Sequence, residues 1–330
     1  EFNLNNNNLR SIKYFDLIEK LDSNNKVLKS TDFNESIKLK TVSDVGYSVL
    51  LSGGIDSSAL ISQINDKIDF NTYSIIFKNN KFDESPYVRE IDNILNLNVK
   101  FIEFDFKDIN EEISLTMDYQ EQPHGDSSFI ALRKICEEVS KYEKVTLTGD
   151  GADEIFGGYD YYFQNVDIDL FSFLEKIEIF NENEIKNLLS SDTQYENEKL
   201  KILNSIDNLN MDVSNKLMLI DNLTLLPYNN FIKCDRMSMS SSLEIRTPFI
   251  STDLVLNSLS KSTIEKSTFD NRKYYLKDNF INKKLNSIKK RGKQTFIIPF
   301  NSFLKKEAIK FFESEYLINE LFNINSFKKI

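Results

Sequence analysis

The sequence predicts an α/β fold, a doubly wound parallel sheet followed by a helical carboxyl-terminal half. Three observations carry that expectation. Short apolar runs alternate with amphipathic stretches between Val45 and Leu147, the first run stops at a glycine pair, and beyond Tyr162 apolar residues recur at helical spacing. Strands that alternate with helices pair in parallel, because each crossover helix returns the chain to the same end of the sheet.

In chain order, Glu1 to Thr41 is polar and rich in Asn and Lys, with a short amphipathic element around Ile12 to Leu21. The run Asn5 to Asn8 cannot bury a core, so residues 1–41 are expected to be a linker or arm. Tyr47 to Leu51 reads as a buried strand entering the turn Ser52-Gly53-Gly54, and Ser57 to Ile64 as the helix after it. Asn71 to Phe77, Lys100 to Phe104 and Val145 to Leu147 read as further strands, with helices over Ser85 to Leu95 and Phe129 to Tyr142. Past Tyr162 the strand signal fades. Leu170 to Leu226 carries broken helical spacing, and Asn222 to Asp235, Thr252 to Leu259, Lys273 to Phe280 and Phe303 to Phe312 read as helices. This gives an α/β core over about 42–162 and a helical part over about 163–330, folded as one unit. Such sheets take ligands beyond the carboxyl ends of their strands.

Composition narrows the function. A net charge of −10 argues against a nucleic-acid surface, which needs clustered Lys and Arg. The basic cluster Lys283 to Lys293 reads as a solvated helix end, with Lys293 considered separately. No apolar run approaches the roughly 20 residues of a membrane span, and no basic-then-apolar leader opens the chain, so a cytoplasmic protein is expected. The single histidine, His124, rules out multi-histidine metal sites, and Cys136 and Cys234 are too few for a disulfide framework or a zinc site. Cys136 falls on an apolar helical face and reads as core.

The chemistry is carried by Leu51-Ser52-Gly53-Gly54-Ile55-Asp56-Ser57-Ser58, which follows a strand and opens a helix. Two successive glycines let backbone amides approach an anion, Ser52, Ser57 and Ser58 add hydroxyls, and the helix start adds free N–H groups. Asp56 belongs beside a phosphate only with a cation between them, which suits a Mg²⁺ ligand. The plain alternative is a strand-to-helix turn with Ser and Asp caps. The loop lacks the Gly-Lys-Ser/Thr end of a Walker A motif.

This stretch resembles the PP-loop of the N-type ATP pyrophosphatases, whose fold is adenine nucleotide α-hydrolase-like. Thr148-Gly149-Asp150-Gly151-Ala152-Asp153-Glu154-Ile155-Phe156-Gly157-Gly158-Tyr159 narrows the resemblance to asparagine-synthetase-like enzymes. Asp83-Glu84-Ser85-x-Tyr87, Pro123-His124-Gly125-Asp126-Ser127-Ser128, Asp235-Arg236-Met237-Ser238-Met239, Glu244-Ile245-Arg246-Thr247-Pro248-Phe249 and Lys293-Gln294-Thr295-Phe296 with Pro299 match further blocks of that family in order. The resemblance implies an ATP-dependent amide ligase: a carboxylate, aspartate by default, is adenylated, and ammonia displaces AMP. It assigns Asp56 and Asp153 to Mg²⁺, and Leu51, Ile75 and Gly149 to the adenine and ribose pocket. Thr148 is grouped with these nucleotide contacts, as are Ser52, Gly53, Gly54, Ser57 and Ser58. Asp150 is assigned to the acceptor or the attacking ammonia, and Lys293 to the reacting α-phosphate. Ile75 also reads as strand core, Asp150 as a turn residue and Lys293 as a surface lysine. Lys273 matches a family lysine without a settled role; Asp235, Arg236, Glu244 and Arg246 read as structural pairs, and His124 as a loop residue.

The family's Pro-Phe-Leu-Asp ends here as Pro248-Phe249-Ile250-Ser251, and its Lys-x-Gly-Phe as Lys293-Gln294-Thr295-Phe296. These departures leave the nucleotide loop untouched and bear on the acceptor, which leaves sugar acids, β-lactam precursors and peptide carboxylates as alternatives to aspartate. A non-catalytic nucleotide-binding homologue is a further alternative. Ser11-Ile12-Lys13-Tyr14-Phe15-Asp16-Leu17 resembles the joint after the family's glutaminase domain, so a glutaminase is expected upstream of Glu1 as the nitrogen source. The resemblance also allows a homodimer.

Overall fold

The protein is seen in a computed structural model that describes residues 2–3, 8–9, 13–23, 29–64, 70–77, 83–104, 109–120, 126–164, 170–177, 182–188 and 199–292. Lys293, His124 and the expected helix Phe303 to Phe312 lie outside the described residues.

Five strands, β1 Tyr47–Leu50, β2 Asn71–Ile76, β3 Lys100–Glu103, β4 Val145–Leu147 and β5 Glu244–Arg246, form one parallel sheet in the order β3-β2-β1-β4-β5. The first four are the strands expected. In the centre of the sheet both faces are covered: Tyr47, Ser48 and Val49 are all buried, and so are all three residues of β4. Strand order reverses at β1, so the loops after β1 and β4 leave the sheet side by side.

The sequence reading has no strand beyond Tyr162, and β5 corrects it. Three residues are too few to show alternation; backbone pairing places them, with Val145 opposite Glu244 and the Thr148 N–H donating to Arg246 O at 3.0 Å.

The helices that position the site are α1 Ser30–Lys40, α2 Ile55–Ile64, α3 Ser85–Leu95, α4 Ser128–Val139, α5 Ala152–Phe156, α6 Val213–Leu223, α7 Ile232–Met239, α8 Thr252–Leu259 and α9 Tyr274–Phe280. One core contains Val49, Leu60, Val88, Leu147 and Phe280. The other contains Tyr73, Ile75, Ile130, Cys136 and Leu243. Cys136 is fully buried, as its helical face implies.

Helix α1 lies within the stretch read as an arm, yet it is built into the core. Phe33 and Ile37, one turn apart, are both buried. The Phe33 ring stacks on Phe249 at 4.4 Å and meets Phe280 edge-on at 5.0 Å. Arg246 fastens the end of α1 to the sheet edge, donating to Lys40 O at 2.9 Å and Val42 O at 2.7 Å. Its role is structural, as expected. Two apolar residues a turn apart in a polar background make a weak periodic signal, which is why the helix escapes a sequence reading.

The single helix expected over Asn222 to Asp235 is three pieces. Helix α6 ends at Leu223, a π-helical turn spans Leu226–Phe231, and α7 follows. Pro227 supplies no N–H at the start of that turn, which loosens the hydrogen-bond ladder there. Lys266, fully buried, ties α5, α6 and α8 together: its ammonium donates to Ile155 O at 3.1 Å, Asn215 Oδ1 at 2.8 Å and Ser258 O at 2.7 Å. Among the described residues no helix is long and apolar enough to cross a membrane.

Candidate active site

The loop leaving β1 turns at Gly53, whose φ of 78° lies in the left-handed region that favours glycine. A Cβ there would also press on Tyr87 Cβ at 3.1 Å and on the Val88 backbone N at 3.3 Å. The loop's polar groups engage one another. Gly54 N–H donates to Ser52 Oγ at 3.2 Å, the Ser52 and Ser57 hydroxyls lie 3.1 Å apart, and Ser58 Oγ donates to Gly54 O at 2.6 Å. The loop is therefore held open at the start of α2 by its own serines.

The second loop, after β4, sits directly on the first. A Cβ on Gly149 would lie 2.9 Å from the Ser57 backbone N and 3.0 Å from Asp56 Cβ. Only glycine permits that approach, and the approach sets Asp56 beside Asp153 of α5. Between them stands Lys273, 3% exposed, whose Nζ is 2.5 Å from Asp56 Oδ1 and 2.6 Å from Asp153 Oδ1. Burial alone would lower the pKa of this ammonium; the Asp153 and Asp56 charges outweigh it and raise the pKa. The two carboxylates expected to be Mg²⁺ ligands lie side by side and share the Lys273 ammonium.

Around these acids opens a cavity of about 1040 Å³. Leu51, Ser52, Gly54, Asp56, Ser57, Ile75, Thr148, Gly149, Asp150 and Asp153 line it. Ile75 is both wall and strand core. Gly53 and Ser58 lie behind that surface, shaping the turn from the protein side.

Further round, Asp150 Oδ2 accepts from Thr148 Oγ1 at 2.6 Å, and Cys234 Sγ lies 3.5 Å from the same oxygen. Lys233 of α7 donates to Asp126 Oδ2 at 3.0 Å and Ser128 Oγ at 2.9 Å. Burial works against the Lys233 charge, but Asp126 and Asp150 together raise its pKa, while Lys233 holds Asp126 below its usual value. Sequence reasoning missed Lys233, although a lysine one turn from the buried Met237 on an inward helix face was a usable signal.

Arg291 was read only as part of a solvated basic run. It stacks over the Tyr87 ring at 4.0 Å, donates to Gly53 O at 2.7 Å and pairs with Glu84. Burial raises the Glu84 pKa and the guanidinium opposes that rise. The Glu84 and Tyr87 of one motif thereby clamp the glycine turn through a residue two positions before Lys293. Arg291→Lys keeps the charge but loses the planar stack. With the clamp weakened, a melting temperature a few degrees below that of wild type is the expected result of thermal melts. Asp235 is exposed and Arg236 half-buried, 3.9 Å apart and away from the cavity lining.

Among the described residues no group of three or more His, Cys, Asp or Glu side chains is arranged to hold a metal ion. Two carboxylates do suit Mg²⁺, which commonly takes one or two protein carboxylates together with substrate phosphates.

The family model for asparagine synthase matches residues 30–321. The chain is 29% identical over 276 residues to asparagine synthetase [glutamine-hydrolyzing] 3 of Bacillus subtilis, covering 75% of this chain and 44% of that protein. It is 26% identical over 318 residues to asparagine synthetase [glutamine-hydrolyzing] 1 of the same organism, covering 83% and 49%. A shorter stretch of 143 residues is 28% identical to amidase chry2 of Gibberella zeae, covering 38% and 21%. The chain spans at most about half the length of these curated relatives.

Proposed function

The chain belongs to the asparagine synthase family, and from that premise we propose that it is the synthetase part of an ATP-dependent amide ligase. The observation that carries the reading is the convergence of Asp56 and Asp153, from two neighbouring post-strand loops, on one cation beside a glycine turn. Leu51, Ile75, Thr148 and Gly149 take the adenosine end, and the Ser52 to Ser58 loop takes the phosphates. Asp56 and Asp153 would hold Mg²⁺, which neutralises charge on departing pyrophosphate.

A carboxylate oxygen attacks the α-phosphorus, the bond to the bridging oxygen breaks, and pyrophosphate leaves. Lys293 is assigned to the α-phosphate, where a fixed cation favours the crowded transition state. Ammonia then attacks the acyl carbon, AMP departs with the former carboxylate oxygen, and one proton is released. Asp150, at the acceptor end with Lys233 and Asp126, is placed to orient the acceptor or take that proton. Lys233 offers a cation for an acceptor carboxylate.

Aspartate is the default acceptor. A second reading, another carboxylate, is favoured by one observation: Ile250, in the block that departs from the family pattern, packs against the loop of Asp150, so closely that a Cβ on Gly151 would overlap it. Nitrogen comes from a glutaminase domain or subunit, since the Bacillus subtilis relatives are named as glutamine-hydrolyzing. The decisive assay supplies ATP, ammonium and aspartate labelled with ¹⁸O in its carboxylates. Pyrophosphate and ¹⁸O-labelled AMP are expected; ADP with phosphate, or AMP without label, would refute adenylation of aspartate. A panel of other carboxylates in the same assay tests the second reading.

A further inference from the structure

Lys277 lines the same cavity and has no part in the chemistry above. It lies on α9 one turn beyond Lys273, its backbone N–H donating to Lys273 O at 3.0 Å, and only 9% of it is exposed. Its Nζ donates to a neutral acceptor, Asn271 Oδ1, at 3.2 Å. The other deeply set cations of the cavity each hold a carboxylate: Lys273 has Asp56 and Asp153, Lys233 has Asp126, and Arg291 has Glu84. Among the described residues Lys277 makes no ion pair. Burial lowers its pKa, and so do the charges of Lys273 and Arg272, against the opposing charge of the adjacent Asp278. Keeping an ammonium buried beside other cations, with no carboxylate in contact with it, is costly unless an anion arrives to meet it.

Position identifies the anion. Lys273, one turn before Lys277, meets Asp56 in the first turn of the helix that begins at the glycine turn, and α9 then runs beside that helix, with Gln63 Nε2 donating to Phe280 O at 2.8 Å and the Asn282 N–H to Ser62 Oγ at 3.0 Å. The charged neighbours of Lys277 are Lys273, Asp278 and Arg272, whereas those of Lys233 are Asp126 and Asp150. The two lysines therefore serve different ends of the cavity, Lys233 the acceptor end and Lys277 the glycine-turn end.

We infer that Lys277 binds the β and γ phosphates of the nucleotide, and hence the pyrophosphate leaving group, as a counter-charge held ready on the cavity wall one turn from Lys273. This rests on the reading that the cavity takes ATP. The test is calorimetric titration of ATP, pyrophosphate and AMP, each with Mg²⁺, into the wild-type chain and into Lys277→Met and Lys277→Arg. Lys277→Met should weaken ATP and pyrophosphate about tenfold and leave AMP unchanged, since AMP lacks the two outer phosphates. Its melting temperature should equal or exceed that of wild type, because an unpaired buried charge has gone. Lys277→Arg should retain most of the affinity. Should the Met variant fail to fold, pyrophosphate binding to Lys277→Gln decides on the same terms. Wild-type affinity of the Met variant for ATP and pyrophosphate would overturn the inference while leaving the ligase reading intact, and so would equal weakening of AMP. A wild-type chain that binds neither ATP nor pyrophosphate would remove the nucleotide reading itself.

Discussion

Lys273→Met should be the most destabilising single change at the site, and Mg²⁺ should reverse much of the loss. In the wild-type chain the Lys273 ammonium is buried, touches one oxygen each of Asp56 and Asp153, and is pinned from behind by its own N–H to Ser267 Oγ at 2.9 Å. Methionine keeps the length of the side chain but leaves two carboxylates facing one another. Breaking a buried charge arrangement in this way typically costs about 3–5 kcal/mol. In a domain of this size that corresponds to a fall of roughly 10 °C in melting temperature.

Two dependences identify the cause. A divalent cation can take the place of the lost ammonium, so millimolar Mg²⁺ should raise the melting temperature of the variant well above its effect on wild type. Proton binding works in the same direction. The two facing carboxylates of the variant have folded pKa values above their unfolded ones, so the native state takes up protons as pH falls and the deficit narrows towards the carboxylate range. Thermal melts with and without Mg²⁺ at several pH values supply the check. A Met variant indifferent to Mg²⁺ would mean that Asp56 and Asp153 do not form a cation site.

The parts of this arrangement legible in the sequence are those written in local pattern. An apolar run ending in Gly53-Gly54 places β1 and its loop, and Asp56 and Asp153 follow from their motifs as a pair. Lys273 and Lys277 were not legible in the same way. They reach the cavity from the start of a helix more than a hundred residues downstream of Asp153; Lys273 matches a family lysine with no role that its sequence neighbours could give it, and Lys277 matches nothing. Arg291 was misread for a related reason: in a run of basic residues, charge alone cannot distinguish a solvated arginine from one stacked on Tyr87. β5 and α1 escaped because each is held by contacts distant in sequence, to β4 and to Phe249 and Phe280 respectively.

Gly158→Ala should abolish pyrophosphate release while leaving the fold in place. Gly158 does not adopt a positive φ, so alanine meets no backbone strain there. Its methyl group, however, would overlap Asp153 Oδ1 and lie 2.5 Å from Asp153 Cγ. It would also lie 2.9 Å from Asp153 Cβ, so the carboxylate must swing away from Asp56 and the shared cation and the start of α5 must shift slightly. The stability cost of such crowding is about 1–3 kcal/mol. If that carboxylate holds the metal on the leaving group, the loss of rate should reach at least about a hundredfold, equivalent to roughly 2.7 kcal/mol in the barrier. Gly149→Ala is a different lesion, because its methyl would meet the backbone of Ser57 and Asp56 and move the nucleotide loop itself. A double-mutant cycle isolates the effect. Since the added methyl acts through Asp153, Gly158→Ala combined with Asp153→Asn should be little slower than Asp153→Asn alone. Full additivity would show that Gly158 acts elsewhere, and a folded Gly158→Ala chain with wild-type turnover would show that Asp153 can serve from another position.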